Sequence, residues 1–206
     1  MTSYKAEQRY FNVLKADMSD EAQKEYELAV NTVVSRFNTS VLENRFTVGG
    51  AVEVFTYALL RSVGIECYHN AAQATGGDIT LPDKKELSIK GSFAGISSIG
   101  LINKRGGGYR KWTTATLFVI SGVGIVFGAP DMVDADDIND AQDQIQLKKK
   151  GLQKLVNDDR NVIPLNIANK PPKEKAGESK RQSMAVARLI LNEKKLGALL
   201  NHLDRD

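Results

Sequence analysis

The sequence predicts an α/β (α+β) protein: a mixed β-sheet flanked by helices. Three observations carry this. Apolar residues recur at helical spacing towards both ends of the chain. A stretch of period-two alternation, interrupted by one turn, occupies the middle from Gly76 to Gly91. Two β-branched, apolar runs follow it, Thr116 to Ser121 and Val123 to Phe127, without a polar face, as central strands require.

Taken in order, Tyr4 to Ala16 and Ser19 to Asn38 read as helices. In the second, Ala22, Tyr26, Ala29, Val30, Val33 and Phe37 form one stripe, and Ser19 or Asp20 serves as cap. Thr39 to Thr47 reads as a loop. Gly49-Gly50 opens a third helix to about Val63, with Val52, Phe55, Leu59 and Val63 as its buried stripe and Gly64 as its stop. Glu53 lies near the start of this helix, off the stripe, beside Tyr57 and Leu60. Ile65 to His69 is a strand, and the hairpin follows. Phe93 to Trp112, rich in Gly, reads as a long loop or a loop with a short helix, whose bases and aromatics suit ordering on a nucleic-acid backbone. Asp134 to Val156 reads as a helix with acids early and lysines late, complementing the macrodipole. Val162 to Ile167 is a further strand, Asn169 to Glu178 a polar loop, and Ser179 to Leu203 a terminal helix or pair with Met184, Ala187, Ile190, Leu191, Leu199 and Leu203 as core.

A chain of 206 residues suits one domain, read as N-terminal helices (1–47), a core (48–167) and a C-terminal loop and helix (168–206). The longest apolar run, Ala115 to Pro130, is broken by Ser and Gly, so no membrane span is expected. Met1 to Asp20 is charged and lacks a signal core, and the single Cys67 cannot form an internal disulfide; both point to the cytoplasm. Two scattered histidines and one cysteine are too few for a structural zinc site. The glycines at 122, 124 and 128 do not make a dinucleotide fingerprint, and Ser121 lacks the glycine of a nucleophile elbow. The net charge of +3 is uneven: Leu87 to Pro130 holds no acid, Asp131 to Asp143 holds six Asp and no base, and bases exceed acids again after Asn161. Basic blocks on either side of the hairpin are what a phosphate-binding surface needs.

The hairpin concentrates the chemistry. Ile79 and Leu81 alternate with Asp78 and Thr80; Leu87 and Ile89 alternate with Glu86, Ser88 and Lys90. Pro82 to Lys85 forms the turn. One face therefore collects Asp, Glu, Ser and Lys, a set suited to holding a hard divalent cation and activating water.

This pattern resembles the PD-(D/E)xK nuclease superfamily, which includes most type II restriction endonucleases. Asp78 and Lys90 match its first and last members, and Gly77 and Gly91 flank them as in the family. Ser88 stands where the second carboxylate is usual. The resemblance implies a restriction-endonuclease-like fold, mainly over Gly49 to Ile167. It implies Mg²⁺ held by Asp78, by the Ile89 carbonyl and by a second carboxylate from Glu86 or from Glu53 on the preceding helix. Reach along the strand favours Glu86. Lys90 would orient or deprotonate the water, and Ser88 would hold a metal-bound water. Lys104, Arg105, Tyr109, Arg110 and Lys111 are the expected DNA contacts. The implied activity is Mg²⁺-dependent hydrolysis of double-stranded DNA by a sequence-specific restriction endonuclease, a homodimer on a palindromic site. The alternatives are a repair or junction nuclease of the same fold, or a non-catalytic DNA-binding protein on that scaffold.

Overall fold

A computed structural model of the chain describes residues 2–37, 39, 42–70, 77–104, 111–170 and 183–202, with the side chains of 42–43 and 183–187 excepted. Two helices open it. The first, α1 (Lys5–Asp17), buries Phe11 and Leu14. The second, α2 (Asp20–Arg36), is capped by Ser19, whose hydroxyl accepts the Ala22 N–H at 3.1 Å. The third, α3, spans Leu42–Ser62 and so begins earlier than its glycine pair suggested. Gly49 and Gly50 cost that helix about 1 kcal/mol each relative to Ala. Burial of Asn44, Thr47, Val48 and Ala51 around them offsets the cost.

The main sheet has the order β1 (Tyr68–His69), β2 (Ile79–Thr80), β3 (Glu86–Ser92), β5 (Ala115–Ile120), β6 (Gly124–Gly128), β9 (Val162–Pro164). Only β3 and β5 run parallel; the other neighbours are antiparallel, so the sheet is mixed. Both β5 and β6 are buried along their whole length because both faces are covered. Leu117, Val119, Ile125 and Phe127 face the α1–α3 layer, to which α5 (Ser183–Glu193) and α6 (Gly197–Leu200) add Ile190, Leu191 and Leu199. Phe118, Ile120 and Val126 face the other way. There they meet α4 (Lys149–Val156) and a second, antiparallel sheet of order β4 (Ile99–Asn103), β8 (Gln144–Leu147), β7 (Ile138–Asp140).

Two expectations are corrected. Phe93 to Trp112 is not loop throughout, since β4 lies within it. Asp134 to Val156 is not one helix but a 3-10 turn (Ala135–Asp137), β7, β8 and α4. Ile145 and Leu147 are buried while Gln144 and Gln146 are half-exposed, a period of two that the charge order had masked. The acids of this region act locally. Asp131 accepts hydrogen bonds from Thr2 and Ser3, and buried Asp137 pairs with Lys154 at 2.7 Å. Among the described residues, no helix is long and apolar enough to cross a membrane.

Candidate active site

The site forms where a short strand leaves a long one uncovered. β2 pairs with β3 only as Ile79 with Leu87 and Thr80 with Glu86. Just before β2, the Asp78 N–H donates to the Leu87 carbonyl at 2.8 Å. Main-chain polar groups along a strand alternate between its two edges. Those of Ile89 therefore point to the same edge as those of Leu87, beyond the reach of β2. Asp78 Oδ2 accepts the Ile89 N–H there at 2.6 Å, and the Ile89 carbonyl is left facing the open edge.

The same carboxylate oxygen gathers the polar face of β3. It accepts from the Ser88 hydroxyl at 2.9 Å and from the Lys90 ammonium at 3.4 Å. Leu87 and Ile89 turn to the helical layer and are buried, while Asp78 and Lys90 keep 24% and 26% of their side chains exposed. The hairpin register expected from alternation is the one observed. Gly77 is sterically required at the entrance: a Cβ there would lie 2.6 Å from the Leu87 carbonyl oxygen.

The two candidate second carboxylates differ sharply. Glu86 shares the face of Ser88 and Lys90, but its Oε2 accepts the Gly77 N–H at 2.9 Å. It lines a separate hollow of about 260 Å³ with Tyr4, Lys84 and Thr113. Glu53, carried by α3, lines a cavity of about 450 Å³ together with Ile89 and Lys90. Sequence reasoning missed His69 on β1, whose Nε2 lies 3.9 Å from Glu53 Oε2 and is buried without a hydrogen-bond partner among the described residues. The alternation of Ile65, Cys67 and His69 was the available signal.

These donors fit a hard cation. Asp78 Oδ1 has no hydrogen bond among the described residues, and the Ile89 carbonyl and the Glu53 carboxylate are further oxygen donors. No three His, Cys, Asp or Glu side chains converge among the described residues. Carboxylate and carbonyl oxygens are the donor type that Mg²⁺ takes, an ion that retains several of its waters.

Of the expected DNA contacts, Arg105, Tyr109 and Arg110 lie outside the described residues. Lys104 directly follows β4 and its ammonium pairs with Asp140, which neutralises it beside the second sheet. Lys111 is exposed. No protein-family model, curated protein or solved structure matches this chain.

Proposed function

We propose that the chain is an Mg²⁺-dependent deoxyribonuclease of the PD-(D/E)xK kind on a restriction-endonuclease-like fold. We infer a sequence-specific type II restriction enzyme that acts on double-stranded DNA as a homodimer. The observation that carries this reading is the gathering of Ser88, Ile89 and Lys90 by one oxygen of Asp78 on the open edge of β3, beside Glu53.

Asp78, Glu53 and the Ile89 carbonyl would hold the cation. Mg²⁺, when bound there, supplies Lewis-acid polarisation of the phosphate and lowers the pKa of a bound water. Lys90, held beside Asp78, orients the attacking water and offsets negative charge as the phosphodiester breaks. Ser88 fixes the Asp78 carboxylate by donating its hydroxyl to Oδ2. Glu86 serves the hairpin instead, by binding Gly77. Arg105, Tyr109, Arg110 and Lys111 remain the proposed strand contacts.

The test is digestion of a mixed plasmid panel with and without Mg²⁺, wild type against Asp78→Ala. Discrete bands from wild type and none from the variant, with DNA binding retained, are expected. A smear, or cutting confined to branched DNA, would favour a repair or junction nuclease. A folded wild type that binds DNA and never cuts would leave the non-catalytic reading, which Ser88 in place of a carboxylate favours.

A further inference from the structure

The cavity beside Lys90 is larger and more cationic than one scissile phosphate requires. Its volume is about 450 Å³. Among the described residues, three cationic side chains line it, Arg45, Lys90 and Lys170, against one carboxylate, Glu53. Lys90 is accounted for by Asp78. The other two are not. Arg45 donates from Nε to the Thr39 carbonyl at 2.8 Å, which fixes its stem and leaves both terminal amino groups without a partner among the described residues. Lys170 is pinned by its main chain, whose N–H donates to the Phe93 carbonyl at 2.8 Å, and its ammonium pairs with no acid among the described residues.

Three separate segments thus bring cations to one hollow: the start of α3, the strand β3 and the chain after β9. Two cations without an acidic partner among the described residues line one space, exposed Arg45 and half-buried Lys170, and together they make it attractive to an anion. An arginine held through its Nε and a lysine whose main chain is held suit phosphate oxygens. We propose that Arg45 and Lys170 form a second phosphate subsite, which grips a nucleic-acid phosphate neighbouring the one at Lys90. This rests on the nuclease reading for the position of the first phosphate. In that setting the subsite sets how the strand lies across Asp78 and Lys90, and positioning of this kind is a large part of catalysis.

The probe is a labelled DNA duplex titrated without divalent metal, at several salt concentrations. Wild type is compared with Arg45→Gln, Lys170→Gln, the double variant and Lys24→Gln, which removes an exposed charge on α2 away from the cavity. Each cavity substitution is expected to weaken binding about 10-fold and to flatten the slope of log affinity against log salt by about 0.9. Lys24→Gln should change neither. Arg45→Lys and Lys170→Arg should keep most of the slope, which separates lost charge from lost fold. Duplexes carrying one neutral methylphosphonate at successive positions, or lacking the 5′ phosphate, locate the contact. A position whose neutralisation weakens wild type but not the double variant is the subsite, inside the strand or at its end. An unchanged slope in a folded double variant, or an equal effect from Lys24→Gln, overturns the proposal. If the cavity variants flatten the slope but wild type never cuts with Mg²⁺, the subsite stands and the nuclease reading fails. If wild type cuts and the double variant binds unchanged, the subsite alone fails.

Discussion

Glu53 and Glu86 carry the same carboxylate into different surroundings, and the surroundings decide what each can do. Glu86 is engaged by the Gly77 N–H, whereas Glu53 faces the cavity with Lys90 and Ile89. Glu53→Gln should therefore lower the cleavage rate about 100-fold or more and raise the Mg²⁺ requirement, with the melting temperature nearly unchanged. Glu86→Gln should keep the wild-type Mg²⁺ dependence and lose about 1 kcal/mol of stability. Rate against Mg²⁺ concentration for the two variants decides it; the reverse pattern would return the second carboxylate to the strand. Away from the site, Tyr26 joins α2 to α3. Its hydroxyl donates to Thr56 Oγ1 at 2.9 Å, and Thr56 donates in turn to the Val52 carbonyl at 2.8 Å. Burial pushes the Tyr26 hydroxyl above its ordinary range, with the Thr56 hydrogen bond acting the other way. The folded state thus keeps a proton that the unfolded state releases near pH 10. That part of the stability is complete below pH ~10 and is lost as pH rises further. Tyr26→Phe should cost about 1 kcal/mol at neutral pH and weaken the alkaline fall in stability, measured by urea unfolding at pH 8 and pH 11.

At the scale of elements, two local arrangements hold the sheets in register. Gly124 begins β6 opposite Pro164 of β9, with φ at +124°. A Cβ there would lie 2.1 Å from the Ile163 carbonyl oxygen. Gly124→Ala combines backbone strain with overpacking against main chain and should cost about 3 kcal/mol or more, read as a lower urea midpoint. Asp137 closes the turn before β7. Its carboxylate accepts from the Asp134 N–H at 3.1 Å and from the Lys154 ammonium at 2.7 Å. The Lys154 hydrogen bond holds its carboxyl down at about 2, with burial opposing. A depressed carboxylate stabilises the fold above its unfolded pKa of about 4, and that stability drains away as pH falls towards 2. Asp137→Asn should be less stable than wild type at pH 6, and the gap should narrow by pH 2.5. A gap that stays constant over this range would show that ionisation of Asp137 contributes nothing.

For the molecule as a whole, protection follows layering. β5 and β6 are paired on both edges and covered on both faces, whereas β1 and β7 are short and lie at sheet edges. Amide hydrogen exchange should be slowest from Ala115 to Ile120 and from Gly124 to Gly128, at rates set by global unfolding. Tyr68–His69 and Ile138–Asp140 should exchange by local opening, several orders of magnitude faster. Fast exchange in β5 or β6 would mean that the helical layer and the second sheet do not form one cooperative unit. The uneven charge resolves at this scale as well. The acids between Asp131 and Asp143 include partners for Lys104, Lys150 and Lys154 and a cap on residues 2–3, while the cavity beside β3 keeps an excess of cations.

The sequence by itself determined the mixed α/β class, the first two helices, the hairpin register, the β5–β6 pair and the meeting of Asp78 with Lys90. Each of these depends on residues close in the chain, where a period of 2 or 3.6 tells inside from outside. It was misled between Asp134 and Val156, where acids followed by lysines imitate a helix dipole although Ile145 and Leu147 alternate. It opened α3 at Gly49, because the packing that offsets glycine comes from distant elements. Only the tertiary structure decided which glutamate faces the cavity, that His69 stands beside it, and that Arg45 and Lys170 meet near Lys90. Those side chains arrive from α3, β1 and the chain after β9, and no local period records which side of a sheet edge a remote residue will reach.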